Sequence, residues 1–166
     1  MTTLFEKSAL VFGCGNTLYG DDGFGPAVIQ HLKEHYALPE DVLALDMGTS
    51  VRDTLVDLTL SEKKPGLLVI VDAVDVPDRS AGEIFEIPIA RIPDKKTSDF
   101  SLHQFPTVSL LAKIEKQAGI KIVILVAQIE FIPDEVRPGL SKTMQGAVMP
   151  ACERIVRVLE RERTVA

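Results

Sequence analysis

The chain has 166 residues, 46% of them apolar and 25% charged, with a formal net charge of -6. That is enough chain for a single domain, residues 1–166, to bury a core without disulfides or a structural metal. The acidic balance argues against nucleic acid or an anionic membrane as partner, and no stretch approaches the roughly 18 apolar residues of a membrane span.

Short apolar runs alternate with helical spacing along the chain. Ala9 to Phe12 reads as a buried strand ending at Gly13. Phe24 to Tyr36 reads as a helix, with Phe24, Ala27, Val28, His31, Leu32 and His35 on one stripe. Val42 to Leu45 is a second strand. Val51 to Leu60 is a second helix, with Ser50 available as its N-cap. Leu67 to Val71 is apolar throughout, as expected of a central strand buried on both faces. Ile84 to Ile87 is a short strand with too little chain before it for a helical crossover, so it is expected antiparallel at an edge. Pro88 to Phe105 is long, polar and proline-containing, and reads as a functional loop. Thr107 to Gln117 is a helix, Ile120 to Ala127 an apolar strand, and Lys142 to Glu162 a long final helix with Ser141 as a possible cap. This alternation predicts an α/β fold, a mostly parallel sheet with helices on both faces.

In such sheets ligands bind beyond the carboxyl ends of the strands. The polar residues there are the segment Gly13 to Gly25 (GCGNTLYGDDGFG), Asp46 to Ser50, Asp72 to Asp75, and His103 with Gln104 in the long loop. The first segment is not a dinucleotide fingerprint, because Leu18 stands where the third glycine belongs. Asp21 and Asp22 would also repel a pyrophosphate at the helix start, whereas the helix dipole favours them as anions. Either could instead cap that helix.

Asp72 follows an apolar strand, where a carboxylate is costly unless paired, hydrogen-bonded or metal-bound; an N-cap or salt bridge would also account for it. Asp22, Asp72 and His103 together would offer two carboxylates and one imidazole with open positions. That set suits a borderline divalent ion such as nickel or zinc, held loosely. His31 and His35 have metal-binding spacing but fall on the apolar stripe with no third ligand, and read as packing or surface residues. Cys14 and Cys152 are the two cysteines. Neither lies in a zinc spacing, which points to a reduced, cytoplasmic protein. The first residues show no signal-peptide pattern. No G-x-S-x-G elbow is present. Cys14 reads as a small residue in a tight turn, Cys152 as core.

Taken together, Val11 to Leu18 (VFGCGNTL), Gly20 to Gly25 (GDDGFG), Leu45 to Ser50 (LDMGTS), Val69 to Val74 (VIVDAV), Ser101 to Gln104 (SLHQ) and Pro138 to Ser141 (PGLS) resemble the hydrogenase maturation endopeptidases, in order and over nearly the whole chain. Gly48 to Asp53, Gly82 to Ile87 and Ile129 to Pro133 are most similar to the delta proteins of coenzyme F420-reducing hydrogenases. The resemblance implies a three-layer α/β/α sandwich around a twisted, mainly parallel sheet of about five strands. It places the metal-contacting residues on Asp22, Asp72 and His103, with Asp46 as a further candidate. It gives Cys14 no role. The implied activity is one cut, removing the C-terminal extension of a nickel-loaded large-subunit precursor. The nickel would arrive with the substrate as a recognition mark, and the enzyme would work as a monomer, often metal-free. The competing reading is a non-catalytic nickel-sensing or scaffolding subunit.

Overall fold

The computed structural model describes residues 4–91 and 108–165. In chain order these form β1 (Ala9–Cys14), a 3-10 turn (Gly20–Gly23), α1 (Phe24–His35), β2 (Val42–Gly48), α2 (Val51–Leu60), β3 (Leu67–Val74), β4 (Ile84–Glu86), a 3-10 turn (Ile89–Arg91), α3 (Val108–Ala118), β5 (Lys121–Gln128) and α4 (Lys142–Val165).

The strands join one sheet in the order β2-β1-β3-β5-β4. β1, β2, β3 and β5 run parallel, and β4 pairs antiparallel with β5 at the edge, as its short approach demands. Every residue of β1 and β3 is buried, so apart from Asp72 both strands are apolar on both faces rather than alternating.

Side chains alternate across a strand, and the two faces fill two separate cores. Ala9, Val11, Val69 and Val71 pack with Phe24, Val28 and Leu32 of α1 and with Met144, Ala151 and Ile155 of α4. Leu10, Phe12, Leu68 and Ile70 pack with Val51, Leu55 and Leu58 of α2 and with Leu111 and Ile114 of α3. The result is three layers, helices on either side of the sheet. Among the described residues no helix is long and apolar enough to cross a membrane.

Four strands outrun their expected ends. β2 runs on to Gly48, which puts Asp46 inside it, and β5 runs one residue further, to Gln128. β1 continues to Cys14 beside β2. β3 continues to Val74, because its ladder with β5 runs on through Asp72↔Val126 to Val74↔Gln128. Asp72 therefore lies inside a strand rather than after one. Ser50 occupies the N-cap position of α2 but makes no side-chain cap bond. Ser141 does cap α4, its hydroxyl accepting the Met144 N–H at 3.3 Å. His103 and most of the expected Pro88–Phe105 loop lie outside the described residues.

β1 sits between β2 and β3, so the chain leaves it first to one side and later returns on the other. Such a reversal is where open α/β sheets form their ligand crevice, outside the carboxyl ends of the two strands, here β1 and β3. Glycines let α1 start directly on the sheet beneath this crevice. A Cβ on Gly25 would stand 2.2 Å from the Cys14 carbonyl oxygen and 2.6 Å from that of Val71.

Candidate active site at the ends of β1 and β3

Asp22 is carried by the Gly20–Gly23 turn between β1 and α1, and Asp72 by β3. Both carboxylates are fully buried, and the turn packs against β3. Asp22 Oδ2 accepts the Asn16 N–H at 3.0 Å. The Asn16 side chain in turn accepts the Leu18 N–H at 3.0 Å, which folds the loop back on itself. Gly15 sits at φ 143°, where a Cβ would fall 1.9 Å from the Asp22 carbonyl oxygen. Only glycine allows that approach.

Asp72 Oδ1 accepts the N–H of its neighbour Ala73 at 2.7 Å. By strand alternation it shares the face of Leu68 and Ile70, the side of α2 and α3. Just beyond it, Gln128 is buried. Its amide accepts the Val76 N–H at 2.9 Å and donates to Asp75 at 2.9 Å, holding the exit of β3.

Of the three expected ligands the structure brings Asp22 and Asp72 to the crevice; His103 lies outside the described residues. Two buried carboxylates are hard oxygen donors that fit a divalent cation, but alone they do not complete a coordination sphere. Among the described residues no cluster of three or more His, Cys, Asp or Glu side chains could hold a metal.

Asp21 is the residue whose partners the sequence did not disclose. It caps nothing: the N-cap of α1 is Gly23, with no side-chain cap bond. Instead the fully buried carboxylate accepts the N–H groups of Glu130 and Phe131 at 2.9 Å, the Ser141 N–H at 2.7 Å and the Ser141 hydroxyl at 3.0 Å. The PGLS motif was the signal available, but nothing local pointed from it to Asp21.

Asp46 is exposed, and its Oδ1 accepts the Gly48 N–H at 2.9 Å, closing a tight turn at φ 51°. It lines a cleft of about 520 Å³ along α1 with Thr17, Gly20, Gly23, Gln30 and Lys33. Neither Asp22 nor Asp72 lines this cleft; the glycines that bracket Asp22 do.

Cys14 and Cys152 are both buried and unbridged. The Cys152 thiol donates to the Val28 carbonyl at 3.5 Å, and burial pushes its pKa up to about 11. Thiolate chemistry at neutral pH is closed to that residue. His31 is half-buried and His35 exposed, their ring centroids 4.2 Å apart, consistent with surface residues.

A family model described as hydrogenase maturation protease matches residues 26–158. The chain is 36% identical over 152 residues to an inferred hydrogenase maturation protease of Methanocaldococcus jannaschii, covering 91% of this chain and 96% of that protein. It is 29% identical over 155 residues to coenzyme F420 hydrogenase subunit delta of Methanothermobacter thermautotrophicus, covering 92% and 94%. The solved hydrogenase maturating endopeptidase HybD of Escherichia coli superposes with a TM-score of 0.71 at 25% identity, over 92% of each chain. Sequence over most of its length and the layered fold thus agree, and the chain belongs to the hydrogenase maturation proteases, a family of hydrolases.

Proposed function

We propose that this enzyme removes the C-terminal extension of a nickel-loaded [NiFe]-hydrogenase large-subunit precursor of the F420-reducing type, in the cytoplasm. The observation that carries the reading is the pair of fully buried carboxylates, Asp22 and Asp72, held at the switch point of the sheet. Burying two anions in one crevice is costly unless a cation or hydrogen-bond donors offset the charge. In this reading Asp22 and Asp72, with His103, meet the substrate's own nickel.

Two carboxylates and an imidazole bind nickel more weakly than thiolates do, so the metal stays with the precursor. The enzyme completes its coordination from the other side. The shared ion then sets the scissile bond over the crevice, and it can polarise the carbonyl or activate water. Asn16 holds the Asp22 carboxylate by its backbone N–H, and the Ala73 N–H holds that of Asp72.

One relative is named as a hydrogenase subunit rather than a protease, which favours a competing reading as a subunit that senses nickel and cuts nothing. One experiment separates the two. Purified chain is incubated with nickel-loaded and nickel-free precursor, and the precursor mass is read. Loss of a C-terminal peptide from the loaded form alone is expected. No mass loss in either supports the scaffolding reading, and equal loss in both removes nickel as the mark.

A further inference from the structure

We infer that Asp21 is a positioning residue for Asp22: it ties the turn that carries Asp22 to the segment 130–141, and so sets where the Asp22 carboxylate stands. The inference rests on the proposed role of Asp22 as a nickel-facing ligand.

The tie is built on several bonds. Asp21 Oδ2 accepts from the Glu130 N–H, the Phe131 N–H and the Ser141 hydroxyl, and Oδ1 from the Ser141 N–H. Bonds to an ionised acceptor are the stronger kind, and a carboxylate with no exposure needs them. Backbone pairing repeats the connection next door. The Gly20 N–H donates to the Arg137 carbonyl at 2.9 Å, and the Arg137 N–H to the Leu18 carbonyl at 2.8 Å. Gly20 reaches this position at φ 53°, where a Cβ would stand 2.7 Å from Pro133 Cδ.

The lever is the 3-10 turn itself. It has about three residues per turn, so neighbouring side chains leave it about 120° apart. Asp21 faces the segment 130–141, and Asp22 faces the Asn16 N–H. A short turn with one side chain pinned has little rotational freedom left. Pinning Asp21 therefore fixes the direction of Asp22. The two adjacent aspartates divide the work, one anchoring the turn to the segment 130–141 and the other held by the Asn16 N–H.

The test reads Asp22 without any catalysis. The Asn16 amide is bonded to Asp22 Oδ2, so its 1H–15N resonance and hydrogen exchange report where that carboxylate stands. In Asp21→Asn, an amide NH2 replaces one acceptor oxygen and faces N–H and O–H donors. The expected result is a displaced Asn16 resonance, a loss of its exchange protection, and an affinity for added cobalt(II) about tenfold lower, the size of effect seen when a ligand's supporting partner is removed. Leu58→Ala, in the core of α2, serves as a variant destabilised elsewhere and should leave both readings as in the parent. If Asp21→Asn does not fold, Ser141→Ala removes one donor and should move the same readings in the same direction by less. A folded Asp21→Asn with an unmoved Asn16 resonance and unchanged cobalt affinity would overturn the inference, as would equal changes in Leu58→Ala. Absence of cobalt binding by the parent chain would instead sink the ligand reading, and the Asn16 resonance alone would then decide the positioning.

Discussion

Gly25, the second residue of α1, rests against the carbonyl oxygen of Val71, the residue that precedes Asp72 in β3. A Cβ at Gly25 would lie 2.6 Å from that oxygen and 2.2 Å from the Cys14 carbonyl oxygen. Both obstacles are backbone, so neither can swing aside. Gly25→Ala must lift the start of α1 off the sheet and drag the Asp22 turn with it. Overpacking of this kind costs about 1–3 kcal/mol or more. Gly146, inside α4, has nothing within 4 Å of its would-be Cβ. Gly146→Ala should therefore stabilise by about 0.5–1 kcal/mol. Urea denaturation of the two variants should show opposite shifts; a harmless Gly25→Ala would contradict the close helix–sheet contact.

Asp22→Asn and Asp72→Asn should fold, because each retains an oxygen for its backbone donor, Asn16 or Ala73. Each removes one negative charge from the crevice. Processing of nickel-loaded precursor should fall by roughly a hundredfold or more, as loss of one ligand bond to the shared ion requires. Circular dichroism checks the fold and a timed gel or mass assay the rate. Near-parental rates in either variant would remove that residue from the site.

Ser141→Ala loses two interactions at once, the hydroxyl donated to Asp21 and the cap on the Met144 N–H. Cap loss and a bond to a charged acceptor together predict a destabilisation of about 1–3 kcal/mol. Ser50→Ala is the contrast, since Ser50 makes no cap bond; its midpoint of unfolding should barely move.

The raised Cys152 pKa predicts an alkaline loss of stability. An ordinary thiol here would titrate near 9.0, whereas the buried one titrates at about 11. The folded state therefore holds the proton more tightly than the unfolded state. The contribution is fully present below pH 9 and is lost as pH rises from about 9 to about 11, amounting to roughly 2–3 kcal/mol. Cys152→Ser should flatten that part of the stability profile relative to the parent. Parallel profiles would show that the thiol is not the group responsible.

Cys14→Ala should still process precursor, and native protein should react slowly with a thiol reagent, because both cysteines are buried. Loss of cleavage in a folded Cys14→Ala variant would bring the nucleophile reading back.

The sequence by itself determined the elements and their type. The helical stripe of Phe24, Val28 and Leu32 and the unbroken apolar run of Leu67 to Val71 are local patterns, each set by which faces must be buried. The short approach to Ile84 made β4 antiparallel for the same local reason. The tertiary structure decided what depends on distant chain. β3 runs past Asp72 because β5 offers it a ladder as far as Gln128. Ser50, well placed for a cap, makes no cap bond, and Ser141 caps one helix while also holding Asp21. The partners of Asp21 lie 109 to 120 residues away. No periodicity in the sequence encodes such a pairing, because it exists only where the parallel sheet brings the loop that follows β1 and the segment that follows β5 to the same carboxyl edge, across β3. Two adjacent aspartates look alike in the sequence; their different surroundings make one an anchor and leave the other at the crevice.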